Sequence, residues 1–346
     1  MKDLKYLLAY IIPFLSYVGL YLGGYWSFLT PLFAFGLVPI IELLGPKYTD
    51  NYSPDEENNR LLNRFFDFLL YINVPILFAL LYFYFNQLAI GNLATHEVVG
   101  MTTSVGITIG TIGINVGHEL GHRNTWYEQL MSKILLLSAL YMHFIIEHNR
   151  GHHKNVATDK DPASAKYGEI LYFFWIRSSI GSYIDAWKLE NNRLRKSVGS
   201  ALSLKNEMIW FHVIQFSYLV LVGLYFGWAI VPFAILVGVI GFLELETVNY
   251  IEHYGLRRKQ LASGRYENVS PRHSWNSNHE FGRILLYELT RHSDHHFKAN
   301  RKFQILRHMD ESPQLPYGYP TSIVLSLFPP LWFAIMNKEV KRYQSQ

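Results

Sequence analysis

The distribution of charge constrains the fold of this chain more than any other feature. All 31 Lys and Arg residues lie outside six long apolar stretches, each near the roughly 20 residues that a helix needs to cross a bilayer. Only 17% of the residues are charged, below the roughly 25% that is usual for a soluble domain. We therefore predict an all-α polytopic membrane protein. The predicted spans are residues 6–25, 28–44, 65–85, 98–117, 208–226 and 228–248.

The positions of the basic residues also predict how the chain is oriented in the membrane. Lys and Arg precede the first span, lie between the second and third, and fill the long segments after the fourth and sixth, whereas the other loops contain neither. Cytoplasmic loops of membrane proteins carry an excess of Lys and Arg. We therefore expect cytoplasmic termini on a single integral membrane domain, residues 1–346. Cytoplasmic His-rich segments, 118–205 and 249–346, are expected to form a helical cap.

Histidine is concentrated in four groups, which hold nine of the fifteen histidines. Spacings of three and four residues place the rings of one group on the same face of a helix. The predicted topology brings all four groups to the cytoplasmic side of the membrane. Imidazole is costly to pack and is a common ligand of transition metals. The candidate metal ligands are His118, His122, His148, His152, His153, His253, His292, His295 and His296.

The number of clustered histidines exceeds what one metal ion can bind. A tetrahedral zinc ion takes four ligands, and a six-coordinate ion takes six. Two ions sharing nine imidazoles would keep open positions for a reactant, which suits the oxygen chemistry of Fe(II). The chain contains no cysteine, so it cannot itself hold thiolate-ligated zinc, thiolate-ligated haem or an iron–sulfur cluster. The neighbouring acids that could orient or tune the ligands are Glu119, Glu147, Glu252 and Asp294.

The first histidine group also matches a protease motif. Residues 118–122 read His-Glu-Leu-Gly-His, the zinc metalloprotease pattern in which Glu119 would be the general base. An intramembrane protease needs only one further ligand, so most of the clustered histidines would have no role. A His-lined metal transporter or sensor is another alternative, and it predicts ionisable residues at mid-bilayer depth. The spans offer little beyond Glu42, Asp67, Glu244 and Glu246, all toward one end.

The histidine motifs, read with their flanking residues, resemble a known family. They are similar to the motifs of the membrane alkane 1-monooxygenase (alkane omega-hydroxylase) family, within the fatty acid desaturase/hydroxylase superfamily. The block Asn-Tyr-x-Glu-His-Tyr-Gly distinguishes this branch from ordinary desaturases, and the similarity extends from the first span to about Pro320. The matching stretches are 118–123, 147–158, 161–164, 249–256, 274–279 and 289–296.

This resemblance implies a non-haem di-iron enzyme whose irons are held by the nine histidines named above. Such an enzyme uses O2 and two electrons to convert the terminal CH3 of a medium- or long-chain alkane into CH2OH, and no separate acid or base is assigned. His279 lies within a matching stretch, so it is a further candidate for a residue that contacts the metal ligands rather than the metal itself. A xylene-type methyl hydroxylase or a lipid hydroxylase/desaturase uses a similar cage and stays an alternative.

The resemblance also implies partners and a location. Electrons in this family come from rubredoxin, reduced by an NAD(P)H-dependent rubredoxin reductase, and this chain has neither cysteines nor a Gly-rich nucleotide loop. We expect contact with membrane lipid, no nucleic-acid partner, and a place in the bacterial inner membrane with a cytoplasmic active site. An acidic carrier could dock on basic residues of the cytoplasmic face. The docking candidates are Arg257, Arg258, Lys259, Arg301 and Lys302.

Overall fold

Helices make up the regular secondary structure in the computed structural model, which describes residues 2–201 and 203–345. This confirms the predicted all-α class. The α-helices are α1 (Ile11–Leu22), α2 (Leu29–Leu32), α3 (Val38–Leu44), α4 (Pro54–Leu62), α5 (Phe65–Tyr71), α6 (Asn73–Ile90), α7 (Thr95–Thr108), α8 (Asn115–Gly121), α9 (Trp126–Leu137), α10 (Phe144–Glu147), α11 (His153–Asn155), α12 (Leu171–Val198), α13 (Glu207–Phe226), α14 (Val231–His253), α15 (Glu280–Leu285), α16 (His292–Phe297), α17 (Tyr319–Ser326) and α18 (Pro329–Gln344).

Shorter elements join these helices. The 3₁₀ segments are Lys2–Tyr10, Gly24–Phe28, Trp228–Ile230, Pro271–His273 and Phe303–Ile305. The π-helical turns are Phe33–Leu37, Ile109–Ile114 and His148–His152. Among the described residues, the only extended pairings are isolated bridges at Lys47–His279, Gln260–Tyr266 and Asn276–Gln314.

Among the residues that the structure describes, six helical stretches are long and apolar enough to cross a membrane, which confirms the predicted number. Three of them run past the carboxyl end of the predicted apolar stretch, the third to Ile90, the fourth to Gly121 and the sixth to His253. A helix continues through polar residues wherever they are buried against neighbours, so apolarity alone underestimates its length. The candidate ligands His118 and His253 therefore lie in the last turns of membrane-length helices. The six stretches are Asp3–Leu22, Gly24–Leu44, Phe65–Ile90, Thr95–Gly121, Glu207–Phe226 and Trp228–His253.

The chain divides into two compact units. The first unit comprises Met1–Gly36, Phe65–Glu147 and Asp185–Leu245. The second comprises Leu37–Arg64, His148–Ile184 and Glu246–Gln346. The single domain and the cytoplasmic helical cap expected from the sequence stay predictions.

Small residues let the membrane helices of the first unit approach closely. Ser16 Oγ lies 2.7 Å from Thr30 Oγ1 and 2.6 Å from Thr108 Oγ1, so one buried hydroxyl links α1, α2 and α7. A Cβ added to Gly100 would lie 2.1 Å from Ser27 Oγ, so only glycine fits there without a shift. Membrane helices associate through this kind of close packing and hydrogen bonding, because lipid gives no hydrophobic drive between them.

Buried polar contacts fix the histidine-bearing segments of the second unit. Ser178 on α12 donates a hydrogen bond to the Glu246 carboxylate, which holds the carboxyl end of α14. The backbone of residues 46–48 pairs with residues 278–280 through two hydrogen bonds, Tyr48 N to Asn278 O at 3.1 Å and Glu280 N to Pro46 O at 3.2 Å. These contacts position the end of α14 and the segment that leads to α16.

We expect Gly100→Ala to lower the melting temperature of the protein in detergent micelles, because the added methyl group would overlap Ser27. Overpacking of this kind typically costs about 1–3 kcal/mol. Gly36→Ala is the matched control, since a Cβ at Gly36 meets nothing within 4 Å. Equal melting temperatures for Gly100→Ala and the wild type would contradict this account of the packing.

Candidate metal centre

Four buried histidines of the second unit, His152, His253, His292 and His296, turn their rings toward one another. One ring nitrogen of each lies within 4.8 Å of those of the other three. The Nε2 atom of His292 is 2.8 Å from Nε2 of His296 and 3.3 Å from Nε2 of His253. Around a metal with bonds of about 2.1 Å, neighbouring nitrogens stand about 3.0–3.4 Å apart. This four-histidine group therefore fits a single metal ion.

Three separate segments supply the four-histidine group. His152 lies in the π-helical turn His148–His152, and His253 is the last residue of α14. His292 and His296 are one turn apart on α16, so both rings leave the same face of that helix. Folding alone brings these segments together, because His253 and His292 are 39 residues apart in the sequence.

A carboxylate behind His152 fixes the orientation of its ring. The Nδ1 atom of His152 lies 2.9 Å from Asp161 Oδ2, and neither side chain is exposed. Burial opposes ionisation of Asp161, but His152 and the Ser164 hydroxyl outweigh it and lower the pKa of the carboxyl. An ionised carboxylate holds the ring proton on Nδ1, so Nε2 keeps its lone pair for a metal.

The four-histidine group also shows the electrostatics that a metal ligand needs. Burial, and then the neighbouring imidazoles, lower the pKa of His296 well below its usual value, so the ring is neutral at pH 7. Only a neutral imidazole has a nitrogen lone pair that can coordinate a metal ion. Nε2 of His152 is buried without a hydrogen-bonding partner among the described residues, which costs free energy. A metal bound by the group would satisfy that nitrogen.

Three more histidines of the second unit form another set of facing nitrogens. The Nε2 atom of His153 is 3.0 Å from Nε2 of His148 and 3.1 Å from Nε2 of His295. These distances also match those between neighbouring ligands of one ion. His148 lies in the same π-helical turn as His152, His153 begins α11, and His295 lies on α16, so this turn and α16 each contribute to both sets.

The remaining predicted ligands, His118 and His122, belong to the first unit. Their ring centroids are 4.9 Å apart at the end of α8. Gly117 and Gly121 allow α8 to lie close to α9, where Ser132 Oγ donates to the Gly117 carbonyl at 2.5 Å. This helix contact holds the pair of rings in place.

Two of the acids predicted to lie behind the ligands form ion pairs that brace helices. Glu119 Oε1 accepts hydrogen bonds from Arg123 at 2.7 and 3.1 Å. Asp294 accepts a hydrogen bond from Arg307 at 2.9 Å and lies 3.3 Å from Arg301 Nε. These contacts fasten the end of α8 and the body of α16, the helices that carry His118 and the last histidine group.

Glu252 is placed differently from these acids. Its Oε2 atom lies 3.2 Å from Nε2 of His292, the nitrogen that faces the other rings. Its Oε1 atom accepts a hydrogen bond from the Tyr319 hydroxyl at 2.8 Å, and both side chains are buried. The carboxylate therefore stands among the ligand atoms, whereas Asp161 stands behind them.

His279 and Glu147, also predicted near the ligands, lie outside both sets of facing nitrogens. His279 Nδ1 is 2.9 Å from Ser277 Oγ, and burial lowers the pKa of this imidazole to about 4. Glu147 is buried at the end of α10, directly before His148. Their roles behind the ligands stay predictions.

Sequence reasoning assigned no role to Asp161, Ser164 or Tyr319. The first two stand in the Asp-Pro-Ala-Ser stretch that resembles the family, so a usable signal was present there. Tyr319 is 67 residues from Glu252 in the sequence, and no local pattern connects the two.

Comparison with known proteins places the chain among membrane oxygenases and desaturases. The family model "Fatty acid desaturase" matches residues 94–325, which include all nine candidate ligands. "Alkane 1-monooxygenase 2" of Alcanivorax borkumensis is 38% identical over 96% of this chain and 88% of its own length. "Alkane 1-monooxygenase 2" of Pseudomonas aeruginosa is 40% identical over 92% and 85%. "Xylene/toluene monooxygenase hydroxylase component XylM" of Pseudomonas putida is 29% identical over 98% and 89%.

We expect Asp161→Asn to weaken metal binding about 10–100-fold, the usual effect of losing a carboxylate that orients a metal-bound histidine. An amide can present either its oxygen or its nitrogen to His152, so the ring tautomer is no longer fixed. The measurement is the metal that purified protein retains against graded chelator concentrations. Asp159→Asn is the control, because its side chain is 78% exposed. Wild-type retention by Asp161→Asn would refute this role.

Tyr319→Phe is expected to reduce metal retention by about tenfold, because the phenol that holds Glu252 is removed while the ring still fills its site. The same chelator titration measures the effect, and the melting temperature reports any loss of packing. Tyr172→Phe removes a comparable hydroxyl, one that donates to Leu327 O at 2.7 Å on the surface. If both variants retain metal equally, Tyr319 does not position the carboxylate.

Proposed function

The chain belongs to the fatty acid desaturase family, and we propose that it hydroxylates the terminal methyl group of medium- or long-chain alkanes, using O2 at a non-haem di-iron centre. The observation that carries the proposal is the set of seven facing imidazoles in the second unit. The similarity to relatives named alkane 1-monooxygenase across nearly the whole chain supports the choice of substrate.

We propose a specific division of the ligands between two irons. The four-histidine group would bind one iron, and Glu252 lies close enough to contribute to the same ion. The three-histidine set would bind the other iron, and His118 and His122 stay the other predicted ligands. The spacing of the facing nitrogens and the neutral, buried ring of His296 support this division within the second unit.

The irons would supply the reduction of O2 and the removal of hydrogen from an unactivated carbon, chemistry that no side chain can perform. The balanced reaction is RCH3 + O2 + 2e⁻ + 2H⁺ → RCH2OH + H2O. The residues of the chain prepare the site for it. Asp161 keeps the ring of His152 in one tautomer, and Tyr319 holds the carboxylate of Glu252. Burial of the four-histidine group keeps bulk water away from its rings.

The membrane setting suits an alkane, because such a substrate dissolves in the bilayer. The chain is an integral membrane protein with six apolar helices of spanning length. We propose the bacterial inner membrane, with the metal site on the cytoplasmic side, from the distribution of basic residues. The electrons would come from rubredoxin and its NAD(P)H-dependent reductase, since a thiolate-based carrier cannot be part of this cysteine-free chain.

The alternatives are less well supported. The relative named as a xylene/toluene monooxygenase component is more distant than those named alkane 1-monooxygenase. A zinc protease would use Glu119 as general base, but Arg123 holds that carboxylate in a buried ion pair. The protease would also leave the seven histidines of the second unit without a role.

The test is product analysis of purified, iron-loaded protein in lipid nanodiscs with rubredoxin, its reductase, NADH and O2. Octane is expected to give 1-octanol, with two irons per chain by elemental analysis. His292→Ala should abolish turnover, and His308→Ala, outside both histidine sets, should not. An alkene from an acyl chain, faster turnover of xylene, or a single zinc per chain would contradict the proposal.

A further inference from the structure

A polar groove of about 1020 Å³ lies in the second unit, formed by residues from the ranges 256–275, 310–314 and 339–344. We infer that this C-terminal groove is the docking site of the protein that delivers electrons to the metal centre. The inference rests on the proposed function, because it requires an enzyme that is reduced by an external carrier.

The wall of the C-terminal groove reaches a candidate metal ligand directly. His273 lines the groove, and its carbonyl lies 3.3 Å from Nδ1 of His253. Ser274 Oγ is 3.5 Å from the same nitrogen. One hydrogen bond therefore separates the groove wall from a ring whose Nε2 faces the other ligands. Groups that hydrogen-bond to a ligand in this way also tune the redox potential of a bound metal.

The base of the groove is tied to the end of α14. Trp275 lines it, and its backbone N–H donates to the Glu252 carbonyl at 2.8 Å. The indole Nε1 of Trp275 donates to the Tyr254 carbonyl at 2.9 Å. These bonds fix the groove to the same helix end that presents His253, so a partner seated there has a defined position relative to the ligand.

The rim of the groove carries exposed charges that are available to a partner. Arg272 lies 3.6 Å from Glu311, and their side chains are 65% and 63% exposed. Arg342 lies 3.8 Å from Glu339 and is 75% exposed. Exposed pairs of this kind contribute little to stability. Charges at the rim of an interface instead govern how fast and how selectively a partner associates.

Two of the other basic residues on this unit are already used within the fold. Arg258 donates to the carbonyls of Glu267 and Lys154 and so holds a loop. Arg301 pairs with Asp294 and Glu57, and its side chain is only 9% exposed. Of the five docking candidates read from the sequence, Arg257 and Lys259 line the groove. The structure thus narrows the docking surface to one face of the unit.

The character of the groove favours a protein over a small molecule. Small-molecule pockets are mostly apolar with a few placed polar groups, whereas this groove is lined by charges of both signs. A polar, charged rim is typical of protein–protein interfaces. The partner we propose is a small electron-carrier protein that gives up one electron at each visit, and the exposed Arg272 and Arg342 would meet acidic residues on its surface. Two visits, each oxidising one reduced carrier, supply the two electrons in the balanced reaction above.

The binding test uses full-length protein in nanodiscs and a purified acidic rubredoxin in its oxidised state. We expect the double variant Arg272→Glu with Arg342→Glu to lower the association rate constant about tenfold at low salt, with the difference vanishing at high salt. Glu311→Lys should raise the same rate constant. Lys341→Glu is the matched control, since this exposed residue is next to Arg342 but does not line the groove. Wild-type association by the double variant would overturn the inference.

Reduction by dithionite separates this inference from the proposed function, because a small reductant needs no docking site. After anaerobic reduction by dithionite and removal of the excess, octane and O2 are added for a single turnover, in which the double variant should form as much 1-octanol per iron as the wild type. With reduced rubredoxin the double variant should form 1-octanol more slowly. If the dithionite-reduced wild type makes no octanol in the single turnover, the proposed function fails, and the binding measurement still tests the groove. Equal rubredoxin-driven rates for variant and wild type would count against the groove.

Discussion

The convergence of seven imidazole rings in one unit, six of them buried and that of His153 half-buried, is the constraint on which the rest of the site depends. Each ring has two nitrogens, and a buried nitrogen without a partner costs about 1–3 kcal/mol. The protein satisfies an outer nitrogen with a carboxylate at His152 and with a carbonyl at His253. The inner nitrogens are left to face one another, and a single bound cation would satisfy several of them together. The hydrogen bonds to the outer nitrogens of His152 and His253 therefore leave the inner nitrogens of these rings available to a metal ion.

The sequence predicted the parts of this protein that depend on composition and local spacing. The absence of charge from six stretches predicted the spanning helices. The spacing of histidines identified the candidate ligands but not their grouping, because His292 and His296 face one set of rings and His295 faces the other. Helix ends were less accurate, since α8 and α14 continue through polar residues that are buried by neighbours. The length of an apolar stretch indicates how much of a helix contacts lipid. The full length of the helix also depends on packing against neighbouring segments, which cannot be read from the local sequence.

Acidic residues show the limit of sequence reasoning more sharply. Glu119, Glu252 and Asp294 are all adjacent to a candidate ligand or within two residues of one, and that proximity suggested one role for all three. In the folded chain two of them brace helices through arginine, and the third stands among the ligand atoms. Which side of a ring a carboxylate occupies depends on partners far away in the sequence, such as Tyr319.

Helix α14 combines two kinds of sequence in one element. It begins at Val231 in apolar sequence of spanning length and ends at His253, one of the candidate metal ligands. Helices respond to hydrophobic mismatch by tilting. A bilayer thinner or thicker than this apolar stretch would therefore act on the same helix that ends in a candidate ligand.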